Sequence, residues 1–500
     1  MRKSIIIIFA IGILVGGCDL LGNQKPQQSL PLNQAYNTVA DLHQELIGAY
    51  NDLQYDATNN RPVGGADWSV FGEIIADNTS FQGSYTTLQD LAQHKMDPNN
   101  GSVNAVWYGS YRIINDVNVI LDKLSSITDG NQAELDNIKG QSLFIRGMVY
   151  YYLVNFYAKP WVGAPGDANS QLGVPLVTKP VTSSADFTDP GRATVSEVYT
   201  QLKKDLSDAA SLLPDKTADG QGNKYASMAM LLRVAMQQHD YATAATLSKQ
   251  IMDSGQYALN SDVQTFFTQE FSPESIFEIS NTVQDNIGVN ISLTALYNPK
   301  ERGDIRISDN YVQALENIVP QSQKDAMAQN TVTYRDTRES ELLTGTTGGN
   351  SWVLKYEDAI NNSDNAPIFR YAEVLLDRAE ILARNNGVNQ ESVDLLNQIR
   401  ERAIKVIDNN GNPVDNSQYI DYKTSDFNSA QDLINTILLE RRVELAFEGQ
   451  RFFDLTRTGQ NVLSQSGKSD AFDANDLRFP IPQAEMDANS NLKQNPGYGS

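Results

Sequence analysis

A helical hairpin between residues 225 and 255 restricts the fold of this chain more than any other feature. Apolar residues recur at helical spacing over 225–239, a His239-Asp240 turn follows, and a second helical pattern covers 241–255. One face of the first helix is formed by Met228, Leu231, Leu232 and Ala235, and close helix approach is permitted by Ala229, Ala244 and Ala245. The unit spans roughly 34 residues, which is the period of tetratricopeptide repeats. A chain built on such units is expected to be mainly α-helical.

Similar helix pairs are predicted at two other places, 136–157 with 194–213 and 371–385 with 390–404. Two further apolar stripes predict packed helices, one at Val39, Leu42, Leu46, Ile47 and Tyr50, the other at Val106, Ile113, Val117 and Leu121. Between these helices lie long stretches rich in Gly, Pro, Asn, Asp, Ser and Thr, namely 56–102, 158–193, 282–304 and 344–366. Compact domains keep such long loops mainly when they are functional. The pattern predicts a helical scaffold that displays loops.

The only cysteine, Cys18, follows two basic residues, an apolar run from Ile5 to Val15 and two glycines. That order is typical of a lipoprotein signal peptide over 1–17, because the apolar run is about half the roughly 20 residues that span a bilayer. The new N-terminal Cys18 would carry acyl chains such as palmitate, and two or more chains anchor a protein stably in a lipid bilayer. Residues 18–32 would form a flexible tether. The alternative is a secretory signal that merely ends in cysteine.

The charge balance excludes one class of partner. Lys and Arg number 39 against 61 Asp and Glu, a formal net charge of −22. Nucleic acid is not expected as a partner, because its phosphates are bound by positive surfaces. With its one cysteine lipidated the chain forms no disulfide, so an ordinary apolar core must hold the fold.

The sequence lacks most of the motifs that mark a catalytic site. The three histidines, His43, His94 and His239, are far apart in sequence, and no HExxH is present. The glycine-rich TGTTGGNS at 344–351 lacks the GK[ST] ending of a phosphate loop, and no GxSxG occurs. We therefore expect no cofactor, no metal and no catalytic residue. Paired carboxylates for glycoside hydrolysis stay open, because any two of the acidic residues could meet in a cleft.

One acidic cluster is ordered enough to interpret. Glu440, Glu444 and Glu448 recur every four residues on one helix face, interleaved with Arg441, Arg442 and Arg451. A buried ionic network is favoured over an acid cluster that performs chemistry. The same interpretation applies to Arg370, Glu373 and Glu380, where charged residues alternate with apolar ones.

Nearly the whole mature chain resembles the SusD/RagB family of outer-membrane nutrient-binding lipoproteins of Bacteroidetes. The resemblance is carried by VWYGSYRIINDVN, IRGMVYYYLVNFYAKPWV, RATVSEVYTQLKKDLSDAASLLP, SPESIFEIS, YRDTR, RYAEVLLDRAEILA, LLNQIRERA, ERRVELAFEGQRFFDLTR and FPIPQAEMDANSNLKQNPGY. It implies about four tetratricopeptide-like hairpins with a loop-rich region, divided at 33–270 and 271–500 but packed as one body. It further implies a surface lid over a SusC-like TonB-dependent transporter. The acidic run that often follows the lipidated cysteine of such surface lipoproteins is reduced here to Asp19.

Ligand contacts are expected in the loops, because sugars pair an apolar C–H face with hydroxyls and so favour exposed aromatic rings beside polar groups. The stretch 67–88 supplies Trp68, Asp77, Asn78, Phe81, Gln82 and Tyr85, and the stretch 296–304 supplies Tyr297, Asn298 and Arg302. The alternative is that each aromatic ring packs its own loop. Trp107 is expected in the core, and Trp352 fits either interpretation.

These observations predict a cell-surface lipoprotein that binds oligosaccharides or polysaccharides without catalysis and passes them to the transporter. Two alternatives remain: a RagB-like component that binds peptides, and a surface glycoside hydrolase.

Overall fold

The computed structural model describes residues 35–58, 61–161, 170–343 and 351–499. Cys18, the predicted signal peptide, the predicted tether and almost all of the glycine-rich segment 344–351 lie outside these residues. The described residues form nineteen α-helices: α1 (Val39–Gln54), α2 (Trp68–Ile74), α3 (Thr86–Ala92), α4 (Gly101–Lys123), α5 (Gln132–Tyr157), α6 (Val195–Leu212), α7 (Lys224–Gln237), α8 (Tyr241–Asp253), α9 (Gln264–Thr268), α10 (Leu293–Tyr297), α11 (Asp309–Asn317), α12 (Gln321–Gln329), α13 (Thr337–Ser340), α14 (Tyr371–Asn386), α15 (Gln390–Ala403), α16 (Ser417–Ile420), α17 (Ala430–Glu444), α18 (Arg451–Arg457) and α19 (Gln483–Ala488).

The strands in the same residues are short and form four separate small antiparallel sheets. They are β1 (Thr79–Phe81), β2 (Ser275–Ile279), β3 (Ile305–Ile307), β4 (Val332–Asp336), β5 (Ala366–Arg370), β6 (Ile404–Asp408), β7 (Pro413–Val414), β8 (Val462–Leu463) and β9 (Ser469–Asp470). The sheets are β1–β3, β2–β5, β4–β6–β7 and β8–β9. Only β6–β7 and β8–β9 join strands that are consecutive along the chain, so the other pairings bring distant segments together.

Four helix pairs form the scaffold, as predicted. The pairs are α1 with α4, α5 with α6, α7 with α8, and α14 with α15, and each pair packs on the next through α4–α5, α6–α7 and α8–α14. The last three pairs coincide with the three predicted from apolar spacing. The mainly α-helical, tetratricopeptide-like fold is therefore confirmed.

The helix starts are fixed by local sequence. The side chains of Thr38, Asn131 and Thr194 each accept a hydrogen bond from the backbone N–H of the third helical residue, whose own acidic side chain accepts one from the backbone N–H of the cap residue. These reciprocal caps satisfy amide groups that have no partner within the helix. They define where α1, α5 and α6 begin.

The main apolar core extends from Leu42 to Leu492, and a smaller one lies between α14, α15 and α17. Trp107 is 2% exposed, so its predicted core position is confirmed. The main core contains residues from both sides of position 270. The domain division at 270/271 itself stays a prediction.

Two glycines, Gly72 in α2 and Gly449 just before α18, allow the backbones of these two segments to pack in close contact. A Cβ on Gly72 would lie 2.1 Å from the carbonyl oxygen of Gly449, and Gly449 itself has a φ of +83° that side chains disfavour. This contact seats α2 against the chain turn that leads to Arg451. It thereby fixes the position of the loop that follows α2, where several predicted site residues lie.

Two carboxyl groups face each other where α1 packs against α4. Arg112 Nε lies 2.8 Å from Asp52, and Asp116 hydrogen-bonds the same carboxylate. Burial, followed by the charges of Glu45 and Asp52, raises the pKa of Asp116 to about 8. Asp116 therefore shares a proton with Asp52 at neutral pH.

Asp116→Asn should raise the free energy of unfolding by about 1–3 kcal/mol at pH 8 and leave it nearly unchanged at about pH 4. A carboxyl group whose folded pKa exceeds its unfolded value contributes its full stability below the unfolded pKa and loses it as the pH rises through the folded pKa. Asparagine stays neutral throughout. Urea unfolding at both pH values measures the difference, and the exposed Asp122→Asn on the same helix is the control. Equal stabilisation at both pH values would contradict the assignment.

Candidate functional site

Strands β1 and β3 bring the two loop segments predicted to bind ligand into one place. Thr79 pairs with Ile307, Ser80 with Arg306, and Phe81 with Ile305. Burial alternates along both strands, so Phe81 and Ile305 face the core while Ser80 and Arg306 face outward. The pairing continues beyond the strands, since Gln82 N donates to Asp304 O at 2.7 Å.

Tyr85 and Arg302 form a half-exposed pair at the end of this sheet. The guanidinium carbon of Arg302 lies 4.2 Å from the centre of the Tyr85 ring, and its Nη1 donates to the Tyr85 hydroxyl at 2.8 Å. Arg302 Nε also donates to Asp304 Oδ2 at 3.0 Å. The ring and the cation are therefore held in a defined arrangement before any ligand arrives.

Trp352 lies beside the same sheet, half-buried. Its Nε1 donates to the carbonyl of Gly303 at 3.2 Å, and Arg306 lies 5.2 Å from the ring. The neighbouring Ser351 carbonyl accepts a bond from Ile307 N at 3.0 Å. A Cβ on Gly303, which has a φ of +55°, would lie 2.9 Å from the Trp352 nitrogen, so a side chain there would strain the backbone and displace the Trp352 ring. We call Gln82, Tyr85, Arg302, Arg306 and Trp352 the β1–β3 platform.

A cleft of about 440 Å³ adjoins the outward face of the platform. Its wall includes the turn between β8 and β9, where Gln465 is bonded to both the amide (2.9 Å) and the carbonyl (2.8 Å) of Phe81. His94 holds the other end of that hairpin through Asp470, at 2.7 Å. The polar residues that line the cleft are Asp77, Thr79, Ser80, Gln82, Arg306, Ser308, Asp309, Asn310, Ser464 and Gln465.

Three aromatic residues predicted to bind ligand are buried instead. Trp68 is 1% exposed and stacks on Tyr152 with ring centres 3.9 Å apart, Phe81 is 2% exposed, and Tyr297 is fully buried 5.7 Å from Tyr356. A ligand at the surface cannot stack on rings in the core, so the prediction is wrong for these three. Their sequence segments are irregular, but their side chains point inward from α2, β1 and α10.

Some of the polar residues predicted to contact a ligand are also buried, whereas others line the cleft. Asn298 is fully buried and donates to the Tyr356 carbonyl at 2.9 Å, and Asn78 is buried between Glu73 and Arg442, so neither is available to a ligand. Asp77 lines the cleft. Burial alone would raise its pKa, but bonds from Arg451 at 2.6 and 3.0 Å outweigh that effect and lower it.

The platform therefore retains Gln82, Tyr85 and Arg302 from the sequence prediction and adds two residues. The sequence alone allows two interpretations of Trp352 and does not single out Arg306. The signal for Arg306 was present in the alternation of DIRI at 304–307, which places it on the same strand face as Asp304.

The acidic cluster Glu440, Glu444 and Glu448 is engaged in buried ion pairs, as predicted, but the single helix face is wrong for Glu448, because α17 ends at Glu444 and Glu448 lies in the turn that follows. Around Glu444, five basic side chains meet five carboxylates in the buried interior: Arg338, Lys355, Arg370, Arg400 and Arg402 with Glu274, Asp336, Glu440, Glu444 and Glu448. We call this set the Glu444 network. Glu444 is bonded to Arg370 at 2.7 Å, to Arg338 at 3.3 Å and to Arg402. Although burial alone raises it, these three cations hold the pKa of Glu444 well below its usual range.

A second balanced network lies beside it. It joins Arg233, Arg384, Arg441 and Arg457 with Glu373, Asp377, Glu380 and Asp454. Burial raises the pKa of Glu380, but Arg457 at 2.8 Å outweighs it and brings the value to about 2. Both networks join separate elements of the chain in the buried interior, which fits a structural role.

Histidines contribute no metal site in the described ranges. Residues 35–58, 61–161, 170–343 and 351–499 contain no group of three or more His, Cys, Asp or Glu side chains with the spacing to hold a metal ion. His239 lies in the turn between α7 and α8, as predicted, with a φ of +56°.

Across the same described residues, no helix combines the length and apolar content needed to cross a membrane.

Helix pairs stacked in series, with an aromatic and polar platform on their connecting segments, define a helical-repeat protein with a candidate binding surface. Two family models match the chain, one described as SusD family over residues 290–498 and one described as starch-binding associating with outer membrane over residues 24–236. The chain belongs to the SusD/RagB family.

Individual relatives agree with that assignment. The chain is 24% identical to SusD-like protein P2 of Formosa agariphila, with both chains covered in full. A Bacteroides vulgatus crystal structure described as a sugar-binding protein is 27% identical, with a TM-score of 0.75 over 93% of this chain and 100% of the other. A SusD superfamily protein of Bacteroides thetaiotaomicron shares the fold at 23% identity, with a TM-score of 0.77 over 92% of this chain and 100% of the other.

Proposed function

We propose that this protein is a glycan-binding lipoprotein of the outer membrane that captures oligosaccharides at the cell surface and delivers them to a SusC-like TonB-dependent transporter. The observation that carries the proposal is the β1–β3 platform, which presents Tyr85 and Trp352 beside Arg302, Arg306 and Gln82 outside the core. The Bacteroides vulgatus relative described as sugar-binding and the starch-binding family description support it.

The chemistry of the platform suits a neutral sugar. Aromatic faces pack against the C–H faces of pyranose rings, and the surrounding amide, hydroxyl and guanidinium groups pair with sugar hydroxyls. The adjoining cleft of about 440 Å³ lies within the size range of small-molecule sites. Asp77 and Asp304 are each held by arginine side chains, an arrangement that favours binding without catalysis.

The proposed anchor is Cys18, whose acyl chains would hold the protein at the bilayer while residues 18–32 act as a tether. A tethered protein stays close to the transporter and can still change its orientation. Two predicted features, the surface location and the transporter partner, rest on membership of the family.

Tyr85→Ala and Trp352→Ala should each weaken glycan binding about tenfold, and the double variant should abolish measurable binding. Each change removes one ring face while leaving the core intact. Calorimetry against a panel of neutral polysaccharides and protein digests measures the effect. Tyr334→Ala, which removes a half-buried tyrosine of β4 outside the platform, is the matched control.

The same panel separates the alternatives. Binding of peptides but not of glycans would replace the proposal with a RagB-like peptide-binding role. Release of shorter products from a bound oligosaccharide would identify a glycoside hydrolase. Glycan affinity that survives the double variant would show that the ligand binds elsewhere.

A further inference from the structure

A second cleft, of about 360 Å³, opens between the segment that contains α9 and β2 and the segment 355–367. It shares no lining residue with the platform or with the cleft beside it. Its lining residues are Phe266, Phe267, Thr268, Glu270, Glu278, Lys355, Tyr356, Glu357, Asp358, Ser363, Asp364, Asn365 and Pro367. We call it the acidic cleft.

The acidic cleft carries a net negative charge. Five of its lining residues are carboxylates, and its one basic lining residue, Lys355, is already engaged. Lys355 Nζ lies 2.6 Å from Glu448 Oε1 and 3.1 Å from the Glu444 carbonyl, so its charge is balanced within the Glu444 network. The charges of Glu270 and Glu357 therefore dominate the electrostatic potential inside the cleft, and burial raises the pKa of Glu278 beside them.

Aromatic rings form part of the same lining. Phe267 lies 5.0 Å from Phe266 and 6.3 Å from Tyr356, in edge-to-face arrangements. Lys355 Nζ lies 4.7 Å from the centre of the Phe267 ring, which shows that a cation is accommodated against this cluster. An apolar stem can pack on the half-buried Phe267 ring while a charged head meets the carboxylates.

Glu278 has an unfilled hydrogen-bonding requirement. The residue is 3% exposed, and Asn365 Nδ2 donates to its Oε2 at 2.9 Å. Oε1 is buried and has no donor in hydrogen-bonding geometry, although the Ser275 side chain and the Phe271 amide lie near enough to the carboxylate to offset part of the rise that burial causes in its pKa. A buried acceptor without a donor is destabilising, because it has given up its hydrogen bonds to water without replacing them. Because the terminal torsion of glutamate is soft, a donor that enters the cleft can draw a carboxylate oxygen toward it.

We propose that the acidic cleft binds a primary ammonium group carried on an apolar stem, with Glu278 accepting its hydrogen bond and the half-buried Phe267 ring packing the stem. An ammonium group supplies both the positive charge and the donor that the cleft lacks. The carboxylates of the cleft do not converge as metal ligands do, since Asp358 and Asp364 are bonded to loop amides. This site is additional to the proposed glycan platform and does not depend on it.

The test measures binding of small probes to the purified protein by calorimetry. Pentylamine and 1,5-diaminopentane should bind saturably, and 1-pentanol, which has the same stem without the charge, should not. Glu278→Gln keeps the shape and removes the charge, and it should weaken amine binding about tenfold. A Gly-Lys-Gly peptide and glucosamine then distinguish a peptide source of the ammonium group from an amino-sugar source.

Two controls keep the result decisive. Glu316→Gln removes an exposed carboxylate outside the cleft and should leave amine binding unchanged, as should Tyr85→Ala on the platform. Phe267→Leu, expected to weaken binding several-fold, replaces Glu278→Gln if that variant does not fold. Equal binding of 1-pentanol, an unchanged affinity in Glu278→Gln, or binding of calcium chloride without amine binding would each overturn the proposal.

Discussion

Glu444→Ala should lower the free energy of unfolding by about 3–5 kcal/mol, the largest effect expected for a single charged residue of this protein. The change leaves Arg338, Arg370 and Arg402 with one carboxylate too few in a fully buried site. An uncompensated charge in the interior is costly because water cannot solvate it. Denaturant unfolding, or a melting temperature lowered by several degrees, measures the loss.

The matched control is Asp253→Ala, which breaks the Lys249–Asp253 pair on α8. Both side chains of that pair are about 60% exposed, so its removal should change stability by less than about 0.5 kcal/mol. Glu444→Gln keeps the shape and removes only the charge, and it should be nearly as harmful as alanine. A loss below about 1 kcal/mol in both Glu444 variants would show that the network does not stabilise the fold.

Trp68→Ala should cost about 3–5 kcal/mol of stability and leave the ligand affinity of the folded protein unchanged. Trp68 fills the core behind α2 and stacks on Tyr152, so truncation opens a large cavity and removes an aromatic contact. Thermal unfolding reports the stability, and calorimetry below the lowered melting temperature reports the affinity.

Trp352→Ala is the comparison variant, because it removes the same type of side chain from a half-buried position on the platform instead of from the core. It should cost about 1 kcal/mol or less and weaken glycan binding, the opposite pattern to Trp68→Ala. If Trp68→Ala weakened binding without loss of stability, the assignment of Trp68 to the core would be wrong.

The scaffold could be predicted from sequence because helical periodicity is a local property. The pairs α5–α6, α7–α8 and α14–α15 follow from apolar spacing alone, and the charged stripe at Glu440, Glu444 and Glu448 indicates the ionic network. The partners Glu274 and Asp336 could not be identified in this way. They lie far from α17 in sequence, and nothing local marks an ion pair that forms only in the folded chain.

The site was predictable only in part, because burial in a short irregular segment is a tertiary property. Composition alone gives the same weight to Trp68, Phe81 and Tyr85. The folded chain separates them, since α2 buries Trp68, the pairing of β1 with β3 turns Phe81 inward, and Tyr85 stays partly exposed. The family resemblance predicts the overall fold, but it does not predict which residues of β1 pair with which residues of β3.

The two-residue alternation of β1 and β3 also limits how this surface can change over evolutionary time. Insertion or deletion of one residue between Gly303 and Ile305 would exchange the faces of the following strand and turn Arg306 into the core. New ligand preferences are therefore reached by replacing outward residues one at a time, while the length of this segment is kept. Sequence divergence among proteins with this sheet should be concentrated at alternate positions.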